Sequence, residues 1–258
     1  MTSGARTDGE LVARLRAAGC VFAEDEAALL VEAAATADEL EQLVAARVTG
    51  VPLEQLLGWT EFCGLRIAVD PGVFVPRQRT ALLVAEAVRL VHAGDMALDL
   101  CCGSGAIGAA LAVAVPGLVL HAADSEDAAV RCARRNLSSG TVHQGDLFAP
   151  LPRELAGRLA LIACNAPYVP TEAIALMPPE ARVHEPRVTL DGGADGLAVL
   201  RRVVAEAPAW LRAGGSLLFE VGQQQVAGAE AMLVEAGLAP RVCRDEEAGA
   251  TVVVGRRP

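Results

Sequence analysis

Past about residue 79 the apolar positions fall into two alternating patterns: short unbroken runs, and longer stretches with an apolar residue every three or four places. Unbroken runs fit strands buried on both faces, and the longer period fits amphipathic helices. The pattern predicts a helix over 80–92, a strand over Ala97–Leu100, a helix over 105–114 and a strand over Leu118–Ala123. It continues with a helix over Ser125–Leu137 and strands over Thr141–Gln144 and 159–164, the last leading into a long loop. A helix over Leu197–Leu211, a strand over Ser216–Val221, a helix over 223–236 and a strand over Thr251–Gly255 complete the series. Such alternation predicts an α/β, mostly parallel sheet wrapped on both faces, with ligands at the carboxyl ends of its strands.

The first 57 residues differ. They are rich in Ala, Leu and Glu at helical spacing, with Asp8 a candidate cap for a helix through Leu11, Leu15 and Ala18. Glu24 or Asp25 would cap another running through Leu29, Leu30, Leu40 and Leu43. Two or three helices cannot build a large core alone, so residues 1–57 are expected to cap something bigger. Over 58–78, Phe62, Leu65, Ile67 and Val69 alternate around Gly64 and Asp70-Pro71-Gly72, which predicts a β-hairpin linker. The α/β part then spans 79–258.

Composition narrows the function classes. No apolar run approaches the ~18 uncharged residues of a membrane helix, and the N-terminus lacks a signal-peptide pattern, so a cytoplasmic, membrane-free protein is expected. A net charge of −10 argues against broad grip on phosphate backbones. All 22 basic residues are Arg, which reads as coding bias. The seven cysteines show no Cys-x-x-Cys pair, and His92, His121, His143 and His184 form no ligand cluster, so no metal is expected. Trp59 and Trp210 read as packing anchors, and Arg201-Arg202 as a solvated helix face.

Two segments carry chemistry. In the first, Leu98-Asp99-Leu100-Cys101-Cys102-Gly103-Ser104-Gly105-Ala106-Ile107-Gly108, an apolar strand meets a small-residue turn and a helix start. Gly103 and Gly105 allow close backbone approach to a ligand, and the helix start offers N–H groups to an anion. A tight strand–helix turn uses the same residues. Asp124, 19 residues past Gly105, ends the next strand, where an acid holds ribose hydroxyls or caps the following helix. Asp146, beside Leu147 after the third strand, sits where an acid bonds an adenine amino group or merely makes a turn after Gly145. Together these strand ends describe a pocket for a nucleoside plus a carboxylate. An NAD site survives on the glycines alone, because Gly108 fills the third glycine position.

The second segment is Asn165-Ala166-Pro167-Tyr168, which follows the apolar run 159–164. A strand ending in Asn-x-Pro-Tyr sets an amide, a Pro-stiffened carbonyl and an aromatic face at one tip. Two acceptors take both hydrogens of a planar NH2 group while the ring covers its plane. The expected roles are amide acceptor for Asn165, carbonyl acceptor for Ala166, stiffener for Pro167 and ring cover for Tyr168. With the glycine turn on the same sheet edge, methyl transfer to an amide or exocyclic amine is expected.

At this point the chain resembles the protein-(glutamine-N5) methyltransferases that modify peptide-chain release factors, and the resemblance runs from Gly50 to Arg257. It is carried by Gly50 to Gly58 with Glu61-Phe62, by Val69 to Arg77, by Leu98 to Gly108, and by Glu185-Pro186-Arg187 with Leu190-Asp191-Gly192-Gly193-x-Asp195-Gly196-Leu197. It implies a class I S-adenosylmethionine-dependent methyltransferase fold (Rossmann-like), a substrate-recognising helical domain over 1–57, and a release-factor-like protein substrate. A monomer with no stable nucleic-acid partner is the accompanying expectation. The implied cofactor set is Cys101, Cys102, Gly103, Ser104, Gly105, Asp124, Asp146, Leu147 and Asn165. Three departures stand out: Ala166 where the family has Pro, Cys101 where it has Gly, and Arg79 and Ala81 where it has acids. Two rival readings are an adenine-N6 methyltransferase on RNA or DNA, which would want a basic track and a wider aromatic clamp, and a non-catalytic protein that keeps the fold.

Overall fold

The protein is described by a computed structural model covering residues 4–258. Four helices open it: α1 (Gly4–Ala17), α2 (Ala23–Ala33), α3 (Ala37–Val48) and α4 (Leu53–Leu57). The expected start at Asp8 is late by a turn, since α1 already begins at Gly4, and the Asp8 side chain lies outside the described residues. The single long second helix is also absent. Thr36 ends the intervening turn and accepts from the Glu39 N–H at 3.2 Å, starting α3 as a separate helix. Leu11, Leu15, Ala27, Leu30 and Val44 form a small core of their own. Beneath it Arg47 is 6% exposed and paired with Glu26 at 2.5 Å. Arg47 also reaches Glu180 at 2.6 Å in α8 (Pro179–His184), which ties the helical cap to the loop beyond the Asn165 segment.

The linker is a hairpin of β1 (Trp59–Phe62) and β2 (Leu65–Ala68), turned by Cys63 and Gly64, both at positive φ. Two such residues make the turn whose twist matches the strands. The larger sheet holds seven strands in the order β5-β4-β3-β6-β7-β9-β8. These are β3 (Met96–Leu100), β4 (Val119–Asp124), β5 (Thr141–Gln144), β6 (Leu159–Cys164), β7 (Leu211–Glu220), β8 (Ala239–Asp245) and β9 (Ala250–Arg256). Six of these strands point the same way, and β9 runs antiparallel to both its neighbours, β7 and β8.

The hydrophobic pattern does not predict β8. Its polar Arg241, Arg244 and Asp245 interrupt the apolar residues on a sheet edge, so it lacks the run that marks a central strand. The predicted helix over 223–236 is a short 3-10 turn followed by α10 (Val226–Glu235), and that over Ser125–Leu137 begins later, as α7 (Asp127–Asn136).

Successive strand residues serve opposite faces. Leu98, Leu100, Ile162, Leu217 and Phe219 pack under α9 (Ala198–Trp210) and α10. Ala97, Leu161, Ala163 and Leu218 pack under α5 (Ala81–Val88) and α6 (Ala106–Ala114). The chain moves outward from β3 through β4 to β5, then restarts at β6 on the other side of β3. That reversal puts the loops after β3 and β6 side by side at the carboxyl edge, where open α/β sheets bind ligands.

Candidate active site

The loop after β3 is held mainly by its own backbone. Cys102 N–H donates to the Ala123 carbonyl at 3.1 Å and Gly105 N–H to the Cys102 carbonyl at 2.7 Å. Gly103 N–H donates to Asp124 Oδ2 at 2.8 Å, and Asp124 Oδ1 accepts from Glu126 N–H at 3.0 Å. Asp124 therefore clamps the loop and the turn before α7. It does not cap a helix starting at Ser125, since α7 begins at Asp127. Burial pushes its carboxyl above the usual carboxylate range. Gly105, at φ +77, caps α6, and a Cβ there would lie 3.1 Å from Leu137. The residue must be glycine for both reasons.

Asp99, two residues before the loop, is fully buried and accepts from Gly108 N–H at 2.8 Å. Burial pushes its carboxyl up to about 8, countered in part by that N–H and reinforced by Asp124. Among the described residues its second oxygen and the Ser104 hydroxyl are buried without a partner. Asn136 in α7, which local pattern does not single out, donates to the Ser104 carbonyl at 2.8 Å and the Ala68 carbonyl at 2.9 Å, and it accepts from Ala68 N–H at 2.9 Å. One amide thus pins the loop after β3 to the hairpin.

Cys101, Cys102, Gly103, Ser104 and Asp124 line a cavity of about 220 Å³ together with Asp146, Leu147 and Asn165, whereas Gly105 faces Leu137 and does not line it. Cys101 takes φ +57, a strained conformation for a residue with a Cβ, yet its backbone follows the turn a glycine would make. The thiols of Cys101 and Cys102 are held well above their ordinary range, the first by its contact with Cys164 and the second by burial. They form a neutral wall. Asp146 is exposed and paired with Arg202 at 2.5 Å, which holds its carboxyl below the usual range. Arg202 itself lines the cavity, so it is not simply a solvated helix face. Arg201 pairs with Asp195 instead.

A second, smaller hollow of about 40 Å³ lies on the other side of the β6 tip, lined by Arg77, Arg79, Ala166, Tyr168 and Met177. Phe74, Asn165, Pro167 and Thr189 border both hollows. Asn165 is half-buried at this junction and Ala166 is 2% exposed.

The segment after Asn165 is stitched to the glycine-rich string downstream. Val169 N–H donates to the Leu190 carbonyl at 3.0 Å, Gly192 N–H to the Val169 carbonyl at 2.9 Å and Thr171 N–H to the Gly193 carbonyl at 2.9 Å. Gly196 packs so tightly that a Cβ would meet the Tyr168 carbonyl oxygen and Gln225 Nε2, each at 2.2 Å. Gln225 donates to the carbonyls of Tyr168 at 2.8 Å and Asp195 at 3.0 Å.

Behind Arg77, Arg79 and Tyr168 of the smaller hollow stand partners from distant segments. Glu220, 2% exposed at the end of β7, accepts from Tyr168 Oη at 2.6 Å, Arg79 Nε at 2.8 Å and Thr80 Oγ1 at 2.7 Å. Arg79 also donates to Tyr168 Oη at 2.7 Å. Burial, reinforced by Glu220, pushes the Tyr168 phenol up, so it stays protonated. Arg77 grips Glu185 through two 2.7 Å bonds. The departure at Arg79 is therefore absorbed, its cation meeting a buried carboxylate. Thr80, Glu220, Gln225 and Asn136 are the residues that sequence reasoning missed. Glu220 had one available signal, an acid closing an apolar run as Asp124 does.

A family model described as Methyltransferase small domain matches residues 64–184. The chain is 37% identical over 219 residues to the release factor glutamine methyltransferase of Geobacter sulfurreducens, covering 83% of this chain and 76% of that protein. To the release factor glutamine methyltransferase of Xylella fastidiosa it is 38% identical over 234 residues, covering 88% and 84%. A solved methyltransferase from Pyrococcus furiosus superposes with a TM-score of 0.58 over 75% of this chain and 89% of its own, at 15% identity, which shows the class I methyltransferase fold. Such identity, sustained over most of both sequences and joined to that fold, makes this chain a member of the release factor glutamine methyltransferase family.

Proposed function

We propose that this protein transfers a methyl group from S-adenosylmethionine to the side-chain amide nitrogen (N5) of a glutamine in a peptide-chain release factor. The observation that carries the reading is the placement of Asn165 between two hollows, one of a size and donor set for a nucleoside-bearing cofactor and one small enough for a side-chain amide. The larger hollow suits S-adenosylmethionine on its own chemistry. It joins a glycine turn at a helix start, the Asp124 carboxylate, the apolar Leu147 and the acid Asp146. Cys101, Cys102, Gly103, Ser104 and Gly105 would hold the amino-acid end, with Asp124 at the ribose and Asp146 and Leu147 near the base. When bound, the cofactor supplies an electrophilic sulfonium methyl.

A carboxamide nitrogen is a poor nucleophile, and the chain's task is alignment and exclusion of water. Asn165 Oδ1 and the Ala166 carbonyl accept the two N–H hydrogens of the glutamine, which fixes its nitrogen between the hollows. Pro167 stiffens the turn. Tyr168, held by Glu220 and Arg79, keeps its ring against the amide plane. No strong base is needed beforehand, since the methylated nitrogen readily loses its extra proton to water.

A protein substrate also fits the net charge of −10 better than a nucleic acid does. In this reading the helical segment 1–57 selects the release factor, the chain acts as a monomer, and the site of action is the cytoplasm. Among the described residues no helix is long and apolar enough to cross a membrane.

The test is a mass measurement on release-factor digests incubated with enzyme and S-adenosylmethionine, expecting one added methyl on the glutamine of a Gly-Gly-Gln tripeptide. Asn165→Ala abolishes that mass shift while cofactor affinity stays within about tenfold, ~1.4 kcal/mol. Undiminished turnover by the variant ends the proposal.

A further inference from the structure

Thr80 and Glu220 lie 140 residues apart in sequence, yet they meet beside Asn165. The buried Glu220 carboxylate sits against the Arg79 guanidinium and offers only lone pairs: Oε1 to Arg79 and Tyr168, Oε2 to Thr80. A threonine hydroxyl has a single proton, and here it goes to Oε2 at 2.7 Å. Thr80 Oγ1 is left with lone pairs for its other neighbour, the Asn165 side chain at 3.5 Å. An amide oxygen turned that way would oppose lone pair to lone pair, whereas the NH2 group donates. Donor count therefore settles which way the amide faces, a matter that electron density alone seldom decides. Because the amide is planar, Oδ1 is the polar atom turned away from Thr80.

We infer that Glu220 and Thr80 form a positioning relay that fixes the rotational state of the Asn165 amide, so that its oxygen and not its NH2 meets the acceptor amide. The inference rests on the role of Asn165 proposed above. An acceptor NH2 needs an acceptor opposite it, so an inverted Asn165 would set donor against donor. Thr80 borders the larger hollow and Glu220 borders neither, yet no contact of either with the acceptor amide is needed, and both act through Asn165.

The relay is tested by kcat and KM for a Gly-Gly-Gln peptide, cofactor affinity and thermal melting across a small variant set. Thr80→Val removes the hydroxyl at nearly constant shape. Its kcat is expected to fall on the order of tenfold, with cofactor affinity within about twofold of the parent. Thr80→Ser keeps the hydroxyl and recovers most of that loss.

Glu220→Gln is expected to do more harm. Its oxygen stays with Arg79 and Tyr168, so its NH2 faces Thr80, whose proton then turns to Asn165 and draws Oδ1 inward. The loss of kcat is expected on the order of a hundredfold. Adding Thr80→Val to Glu220→Gln removes the hydroxyl that enforces the inverted state, so the double variant turns over faster than Glu220→Gln alone. A merely structural role predicts additive losses. A double variant no faster than Glu220→Gln overturns the relay, and so does a folded Thr80→Val enzyme with parental kcat. If Glu220→Gln does not fold, the contrast between Thr80→Val and Thr80→Ser decides. Asn165→Ala included in parallel separates the failures: parental turnover there sinks the reading of Asn165 itself, while a dead Asn165→Ala beside an intact Thr80→Val sinks only the relay.

Discussion

The two hollows that share Asn165 are built by different means. The larger is made chiefly from backbone: a five-residue turn, the N–H groups of a helix start, and an aspartate that follows the neighbouring strand. Its glycine turn, Asp124, Asp146 and Leu147 come from one stretch of chain between Cys101 and Leu147, with Phe62, Asn165 and Arg202 closing it from further away, and small side chains matter in the turn because they stay out of the way. The smaller hollow is walled by Arg77 and Arg79 from the hairpin exit, Tyr168 from the β6 tip and Thr189 from the loop beyond Glu185, and the buried Glu185 and Glu220 hold the two arginines from behind. A site that grips a cofactor common to many enzymes can be a local motif. In the proposed reading the acceptor is instead selected by a meeting of distant side chains, of which Arg77, Arg79 and Tyr168 lie outside the larger hollow.

That contrast predicts that damage to one hollow spares the other. The largest effect is expected from Gly196→Ala, whose Cβ would collide with the Tyr168 carbonyl and Gln225 at a backbone φ of +77. It should cost about 2 kcal/mol or more of stability and most of the methyl transfer. The variant that folds should still bind cofactor within about tenfold by calorimetry. Parallel collapse of both functions would show that the hollows are one unit.

Arg79→Met comes next. It leaves the buried Glu220 carboxylate with two donors in place of three and frees the Tyr168 hydroxyl from one partner. A drop in kcat/KM of about tenfold is expected from steady-state kinetics with the acceptor peptide, with cofactor affinity unmoved. An equal loss in cofactor binding would break the comparison.

Asp99 tests the cofactor side through pH. Its proton is held more tightly in the fold, where its pKa lies at about 8, than in the unfolded chain, where it is about 4. The stability it contributes is full below about pH 4, declines as pH rises toward 8, and is gone above. Asp99→Asn cannot ionise and still accepts from Gly108, so its melting temperature should fall less than the parent's between about pH 5 and 9. Parallel melting curves would show that Asp99 does not titrate in this range.

The smallest effect belongs to Arg202→Ala. The Asp146 pair is exposed on both sides, so stability should change by about 0.5 kcal/mol or less. Cofactor affinity is expected to weaken a few-fold while the KM for the acceptor holds. A shift in the acceptor KM instead would assign Asp146 to the other hollow.

Legibility followed the same divide. The Leu98 to Gly108 turn, Asp124 and the Asn165 to Tyr168 segment are contiguous signals, and the sheet brings all of them to one edge. Thr80 and Glu220 carry no local mark beyond being polar beside apolar runs, because their meaning lies in each other. Arg202 looks like surface by helical periodicity, and only the approach of α9 to the loop after β5 gives it Asp146. Edge strand β8 escaped because half-exposed strands lose the apolar run that buried ones keep.

The chain's own order of apolar runs, glycines and strand-ending acids determined the layered sheet, the glycine turn after β3 and the amide at the tip of β6. Such features depend on neighbours a few residues away and on the periods of helix and strand. The sheet order decided the rest. Setting β6 between β3 and β7 brings Glu220 to Tyr168 across 52 residues and to Thr80 across 140. Hydrogen bonds are short and directional, so which polar groups find one another is fixed only once the strands have chosen their neighbours.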